Sequence, residues 1–479
     1  MVTAQRITTN TSFFLTALVI QKLLSFIYFT FLARHLGSEL IGQYFFAISF
    51  ATIFSVFMDL GLSPVLTREI AKEDKNDQEW FQQIFSLKVL FSIITIIITI
   101  ILDNILFYSD IVKNLIYLSI FIILIDSFTL LFYAFIRGKQ NLKYESKAVI
   151  IFQIIVLFLG FYLMQYSNNV FLFIAVLFIA SLFNLIYSGI ILRFKLKIKL
   201  RLRYSSALIK RIIKISLPFA LAAIFAKVYA YIDTVLLKIF LGDSEVGIYS
   251  VAYKITFAFQ FIPLAFVASL YPAFSHYYQN NILELKKIFS KSFNYLIYIS
   301  LPISLGIIAL APEIISKVYT AEFNFSILPL QILIASIPFL FINFSLSSFL
   351  NATDNQKINT RNLGLVMVIN IILNIFLIRS LGVWGASLAS SLSTLLLFIL
   401  NLKEVIKLIG QKFIKRKSLF LTIISGLVMF LSVYYLKHII YWPFTIITGT
   451  IVYFMLMFFS KTLTKEDFIF IKKSLFSKE

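Results

Sequence analysis

The side chains that could do chemistry in this chain are a few charged residues placed inside long apolar stretches. Lys22 and Lys227 each lie at the centre of such a stretch, one in each half of the sequence. A lysine at mid-membrane depth costs about 2.5–3.5 kcal/mol on insertion scales and usually faces an interior cavity. The pair therefore predicts a cationic site for an anionic ligand. Two alternatives stay open: each lysine pairs with an aspartate to hold helices together, or it extends to the membrane surface.

Three aspartates in or beside these stretches are candidates for ion coupling or for a countercharge. Asp126 precedes Arg137 by eleven residues, about 16 Å along a helix, and pairing with a lysine is favoured slightly over proton coupling. Asp59 precedes a glycine and a proline that interrupt its stretch, which favours a local helix-end role over ion coupling. Asp233 follows Lys227 by six residues and lies on another helix face, so direct pairing between them is not expected.

Further lysines and two tyrosines complete the set of candidates. Lys254 lies one to two turns inside its stretch. It is equally expected to belong to the cationic site or to extend its ammonium outward to the membrane surface. Lys88 and Lys238 lie at the ends of stretches, where flanking or snorkelling charges are expected. Tyr229 and Tyr231 could stack against sugar rings. An ordinary packing role between helices is favoured, because the chain has 24 tyrosines.

Small and amide side chains near the end of the chain favour packing roles. Asn370 and Asn374 share one helix face and predict hydrogen bonds between helices rather than substrate contact. Gly385, Ala389 and Ser393 recur at the same spacing and predict a ridge for close helix approach.

The composition indicates that a membrane must position these residues. The chain has 479 residues, of which 60% are hydrophobic and 14% charged, and its mean hydropathy is +0.92. Continuous apolar stretches rather than alternating ones exclude a membrane β-barrel and predict an all-α polytopic membrane protein. The absence of cysteine excludes disulfides and thiolate chemistry, and three histidines argue against a metal centre. No cofactor is expected.

About fourteen transmembrane helices are predicted, and the first is expected to be retained rather than cleaved as a signal peptide. The stretches are 12–33, 41–66, 84–105, 112–136, 147–166, 170–192, 215–240, 247–272, 293–311, 323–350, 361–379, 382–402, 418–436 and 441–460. If the chain starts inside, 33 of the 43 lysines and arginines fall in inner segments and five in outer ones. This asymmetry predicts that both termini are cytoplasmic and that the positive charge attracts anionic membrane lipids rather than nucleic acid.

The longest interruption is basic and separates two halves. Residues 208–214 alternate apolar and basic side chains at helical spacing, which predicts an amphipathic helix on the cytoplasmic leaflet, with a solvated linker as the alternative. The predicted parts are an N-terminal six-helix lobe at 1–192, the linker at 193–215, a C-terminal six-helix lobe at 216–402, and two accessory helices with a basic tail at 403–479.

The two halves carry an internal repeat. The pattern LG-x4-G-x-Y occurs at residues 36–44 and again at 241–249. The offset of 205 residues also carries Lys22 onto Lys227. The ends of spans four and ten are similar as well, with FIRGKQN at 135–141 and FLNATDN at 349–355. Transporters built from such repeats place their substrate site between the halves near the midplane.

Several motifs resemble one known family. They are LARHLGSELIGQY at 32–44, DLGL at 59–62, REIA at 68–71, SLPF at 216–219, the asparagine pair at 370 and 374, and LGVWGAS at 381–387. In this order they resemble the oligosaccharide flippases of the polysaccharide transport family, the O-antigen and capsule repeat-unit flippases. That family lies within the multidrug/oligosaccharidyl-lipid/polysaccharide exporter superfamily.

The resemblance implies a two-lobed bundle that works by alternating access and is not an enzyme. It implies transport of an undecaprenyl-pyrophosphate-linked oligosaccharide from the inner to the outer face of the bacterial inner membrane. It also implies a cationic cavity for the pyrophosphate, to which we assign Lys22, Lys227 and Lys254. Polysaccharide polymerase or glycosyltransferases of the same pathway are the expected partners. A lipid II flippase and a drug/cation antiporter of the same superfamily are the alternatives.

Overall fold

The computed structural model describes residues 2–72, 76–105, 108–410, 413 and 416–463, with side chains from residue 13 onward in the first helix. Five predicted features lie outside these residues or side chains: Arg6, Lys75, Lys412, Lys415 and the part of the basic tail at 464–479.

The described residues form α-helices joined by short turns and contain no β-strand, which confirms the predicted all-α class. The chain divides into two compact units, 1–250 and 251–479. The first unit holds α1 (Val2–Asp59), α2 (Leu62–Ile70), α3 (Asp77–Ile105), α4 (Asp110–Gly138), α5 (Lys143–Met164), α6 (Val170–Ile190), α7 (Ser206–Phe240) and the start of α8 (Asp243–Ala258).

The second unit holds the end of α8 and the remaining helices. These are α9 (Phe261–Asn280), α10 (Ile282–Val318), α11 (Ile327–Ala335), α12 (Ile337–Ala352), α13 (Gln356–Leu381), α14 (Val383–Ile409), α15 (Arg416–Leu436) and α16 (Trp442–Phe459). A π-helical turn at Ile191–Lys195 and a 3-10 helix at Ala321–Ser326 complete the regular structure of the described residues.

Thirteen helical segments within the described residues are long and apolar enough to cross a membrane. The first of them, Phe13–Asp59, has 47 residues and leaves helical geometry at Gly37, where φ is 76° and ψ is 179°. Each part on either side of Gly37 is about 33–36 Å long at 1.5 Å per residue, enough for one crossing of the hydrocarbon core. The segment therefore supplies two crossings, in agreement with the fourteen predicted.

Local backbone geometry supports the internal repeat. Gly37 and Gly242, the glycines at the start of the repeated LG-x4-G-x-Y pattern, both have positive φ, 76° and 115°. Gln140 and Asp354 also match, with φ of 55° and 59°. The next residue in each turn donates its backbone N–H to the carbonyl five residues earlier, at 3.2 Å in one case and 2.8 Å in the other. The similar residues thus form the same turn.

The boundary between the compact units falls within α8, and the predicted division into lobes stays a prediction. It follows Ser250, so α7 lies in the same unit as the first six spans. The segment predicted to be an amphipathic helix, 208–214, is helical and forms the first turns of α7, which runs without a break from Ser206 to Phe240. Ile212 is fully buried in an apolar cluster with Leu62 and Phe81. The basic side chains of the segment are exposed, and their place on the cytoplasmic leaflet stays a prediction.

Candidate functional site

The two central lysines lie on helices that pack against each other. Lys22 belongs to α1 and Lys227 to α7, both in the first unit. The two ammonium groups are close enough to repel one another electrostatically. Lys22 is exposed and Lys227 is half-buried. Among the side chains that the structure describes, no carboxylate lies within 4.0 Å of either group.

Tyr231 lies under one of these lysines. The ammonium of Lys227 is 5.7 Å from the centroid of the Tyr231 ring, within the distance of about 6 Å at which cation–π attraction operates. The sequence reasoning missed this contact, although the i, i+4 spacing of the two residues on one helix could have revealed it. Tyr229 is half-buried on the same helix, and its stacking role stays a prediction.

Two of the candidate aspartates contact hydroxyl groups of the first unit. Asp126 is half-buried on α4 beside Ser181 of α6, and no described lysine or arginine comes within 4.0 Å of it. Asp233 is buried and accepts a hydrogen bond of 2.8 Å from the hydroxyl of Tyr249. Tyr249 is the last residue of the second LG-x4-G-x-Y pattern, so the repeat itself holds this carboxylate.

Asp59 forms a buried ionic cluster that was only partly predicted. It accepts hydrogen bonds from the backbone N–H of Ser63 at 3.4 Å and from the Ser63 hydroxyl, which confirms the expected local role at a helix end. It also forms an ion pair with Lys88 of α3. Lys88 is completely buried, so its predicted role as a snorkelling or flanking charge is wrong. The reason is that α3 begins at Asp77, three turns before this lysine.

The remaining two lysines have different surroundings. Lys238 pairs with Asp243 at 2.5 Å, and the two side chains are 13% and 14% exposed. Lys238 lies in the last turn of α7, as expected of a flanking charge, and its ion pair with Asp243 is nearly buried. Lys254 is half-buried on α8, in the second compact unit. Its place in the cationic site stays a prediction.

The repeated glycines contact each other's segments at the helix ends opposite the basic segments. We call this side outer, and the side of the basic segments inner, after the predicted topology. A Cβ atom on Gly42 would lie 1.8 Å from the carbonyl oxygen of Asp243, and one on Gly247 would lie 1.8 Å from the carbonyl oxygen of Ser38. The hydroxyls of Ser38 and Ser244 are 3.1 Å apart and share a hydrogen bond. We call these five residues the outer glycine contact. Only glycine permits such an approach of two backbones.

A second glycine contacts α7 near its inner end. Gly61 has φ of 75°, and a Cβ atom there would lie 2.7 Å from both the carbonyl oxygen of Ser216 and the Cβ of Phe219. We call these three residues the inner glycine contact. It joins two of the sequence motifs, DLGL and SLPF. Asp59, which pairs with Lys88, precedes Gly61 by two residues.

The packing roles predicted for the second unit are confirmed at Asn370 and Gly385. Asn370 donates a hydrogen bond from its side-chain amide to the Ser393 hydroxyl at 3.2 Å, which links α13 to α14. Asn374 donates to the backbone carbonyl of Asn370 at 2.9 Å, a bond within α13, so its predicted bond between helices stays a prediction. Gly385 lets the two helices approach closely, because a Cβ there would lie 1.9 Å from the carbonyl oxygen of Leu377.

The repeated all-helical bundle has the fold of the multidrug/oligosaccharidyl-lipid/polysaccharide exporter superfamily. The lipid II flippase MurJ, in an inward closed conformation, superposes with a TM-score of 0.78 at 17% identity over 94% of this chain and 98% of MurJ. An inward-facing multidrug resistance MATE family transporter superposes with a TM-score of 0.64 at 15% identity, over 82% of this chain and 98% of that transporter. The model of the polysaccharide biosynthesis protein family matches residues 7–278, and the chain belongs to that family. The MatE family model matches residues 218–376.

Curated relatives are archaeal membrane proteins. The probable low-salt glycan biosynthesis flippase Agl15 of Haloferax volcanii is 26% identical over 186 residues, a match that spans 39% of each chain. The uncharacterized membrane protein MJ1375 of Methanocaldococcus jannaschii is 23% identical over 407 residues, 81% of this chain and 95% of that protein. The resemblance predicted from the motifs is thereby confirmed at the level of family and superfamily.

Proposed function

We propose that this chain is a flippase for an undecaprenyl-pyrophosphate-linked oligosaccharide, which it moves from the cytoplasmic to the outer face of the bacterial inner membrane. The observation that carries the proposal is the close pair of Lys22 and Lys227, with no described carboxylate within ion-pair distance of either. A positive charge within a membrane bundle needs a partner or an aqueous cavity. A lipid-linked pyrophosphate would supply the missing negative charge when it binds.

The helices that carry the lysines suit a two-sided transport cycle. The outer and inner glycine contacts lie toward opposite ends of α7, with Lys227 between them in the sequence. Separation of one contact at a time would expose the lysines first to one side of the membrane and then to the other. This is the alternating access that repeat-built transporters use. With both termini cytoplasmic, the inner contact would open to load substrate.

The double substitution Lys22→Gln with Lys227→Gln tests the proposal. Hydrogen bonds to charged groups contribute about 1.5–3 kcal/mol each, so loss of both ammonium groups should slow flipping at least about tenfold. The assay reconstitutes the full chain in proteoliposomes and follows an NBD-labelled undecaprenyl-pyrophosphate oligosaccharide by dithionite quenching of the accessible label.

Two control variants make the result specific. Lys22→Arg with Lys227→Arg keeps both charges and should retain most of the flipping rate. Lys143→Gln with Lys147→Gln removes two exposed charges at the start of α5 and should flip at the rate of the unaltered chain. Flipping at that rate by a folded Lys22→Gln, Lys227→Gln protein would refute the cationic site.

The same assay separates the alternatives. A lipid II flippase would use the same two lysines for the pyrophosphate but would prefer the lipid II headgroup in competition. The high structural similarity to MurJ makes this the second candidate. A drug/cation antiporter would instead need a carboxylate at the centre of its site, and it would move a cationic dye but no lipid-linked sugar.

A further inference from the structure

The basic linker between α6 and α7, residues 193–205, is fixed along the start of α3. Lys199 donates its backbone N–H to the side-chain oxygen of Gln78 at 3.0 Å, and its carbonyl accepts from Gln78 and Gln82 at 2.8 and 3.1 Å. Arg203 donates its backbone N–H to the Ser86 hydroxyl at 2.8 Å. These bonds hold an irregular segment in one place, so any site formed between the linker and α3 is preorganised.

A groove of about 310 Å³ lies between the linker and α3. Its walls include Val89, Leu90, Ile93, Leu202, Arg203 and Tyr204. Leu90 and Ile93 are 51% and 52% exposed. Because they lie in an apolar transmembrane helix, this exposure places them against lipid tails. The groove thus joins an apolar wall at membrane depth to an arginine at the membrane surface.

The charge around the groove is strongly unbalanced. Within residues 193–214 the chain has nine lysines and arginines and no acidic residue. Among the described side chains, one carboxylate forms an ion pair with this segment: Glu79 lies 3.4 Å from the guanidinium of Arg203. Arg201 and Arg203 are both exposed, and guanidinium groups bind phosphate through paired hydrogen bonds.

We propose that this groove is a binding site for one anionic phospholipid of the inner leaflet. An acyl chain lies along Leu90 and Ile93, and the phosphate is bound by Arg201 and Arg203. The site is separate from the lysine pair proposed for the transported substrate. Basic pockets at the cytoplasmic side of transmembrane helices bind anionic headgroups in this way. The phosphate of a zwitterionic lipid is already balanced by the ammonium of its own headgroup, so it would leave the positive charge of Arg201 uncompensated.

Native mass spectrometry of the full chain in detergent tests the proposal with two lipids of identical acyl chains, phosphatidylglycerol and phosphatidylcholine. We expect one phosphatidylglycerol to bind more tightly than phosphatidylcholine. Arg201→Gln with Arg203→Gln should weaken phosphatidylglycerol binding about thirtyfold, because each basic residue near an anionic lipid surface contributes about 1 kcal/mol. The matched control, Lys287→Gln with Lys403→Gln, removes two exposed inner charges elsewhere and should leave binding unchanged.

A second pair of variants tests the apolar wall. Ile93→Trp fills the groove without changing the charge and should also weaken binding. Ile97→Trp, one turn further along α3 and equally exposed at 52%, lies beyond the groove and should not. Equal affinity for the two lipids, or unchanged phosphatidylglycerol binding in both the arginine variant and Ile93→Trp, would overturn the proposal. An equal loss in the control variants would do the same.

Discussion

The outer and inner glycine contacts join α7 and the start of α8 to the first two spans in different ways. In the outer contact each repeat contributes one glycine and one carbonyl, with Gly42 against Asp243 and Gly247 against Ser38. The inner contact has a single glycine, Gly61, which packs against α7 from a left-handed turn. The outer contact is therefore reciprocal, with a glycine from each side, whereas in the inner contact only one side supplies a glycine.

Different forces also stabilise the two contacts. The outer contact depends on close packing of backbones and a hydrogen bond between hydroxyls. The turn that presents Gly61 is fixed by Asp59, which accepts the backbone N–H of Ser63 in the next helix and pairs with the fully buried Lys88. The Lys238–Asp243 ion pair lies wholly on the α7–α8 side of the outer contact, so this contact can separate without breaking an ion pair. We therefore expect the outer contact to be the one most sensitive to shape, and the inner contact the one most sensitive to charge.

The largest effect should come from preventing the outer contact from separating. The chain has no cysteine, so Ser38→Cys with Ser244→Cys introduces a unique pair where the hydroxyl oxygens are 3.1 Å apart. Oxidation should abolish flipping in proteoliposomes because the outer ends can no longer part, and a reductant should restore it. Each single cysteine variant should flip normally under both conditions. Normal flipping by the fully oxidised pair would show that this contact stays closed throughout transport.

The second-largest effect should come from breaking the Asp59–Lys88 ion pair next to the inner contact. Lys88→Met removes the only described cation beside the Asp59 carboxylate, which is 14% exposed, and should destabilise the protein by about 3–5 kcal/mol. Asp59→Asn with Lys88→Met removes both charges and should cost less than the single change. The thermal unfolding midpoint in detergent measures the stability of both variants.

A matched substitution at the outer end sharpens this comparison. Lys238→Met breaks the Lys238–Asp243 pair, whose side chains are 13% and 14% exposed. Its cost should be smaller than that of Lys88→Met, because Lys238 is 13% exposed whereas Lys88 is fully buried, so water already screens the Lys238–Asp243 pair. If Lys238→Met is the more damaging change, the assignment of a charge-dependent inner contact is wrong.

The sequence predicts the topology better than the surroundings of the charged residues. The spans and the repeat could be recognised because apolar length and paired glycines are local patterns. The Asp59–Lys88 pair could not, since its partners lie on different spans and no periodicity relates them. Lys22 and Lys227 were matched by the repeat offset of 205 residues, but only packing of α1 against α7 places them close together.

The smallest effects should distinguish the two halves of the outer contact. Alanine at Gly42 or at Gly247 would place a Cβ 1.8 Å from the carbonyl of Asp243 or Ser38, and such overpacking costs about 1–3 kcal/mol. Because the contact is reciprocal, the two variants should lower the thermal unfolding midpoint by similar amounts. Gly189→Ala is the control: its nearest neighbour would be 3.6 Å away, and alanine is favoured over glycine in a helix by about 1 kcal/mol. That variant should be neutral or stabilising, and a clear difference between the first two would show that one repeat dominates the contact.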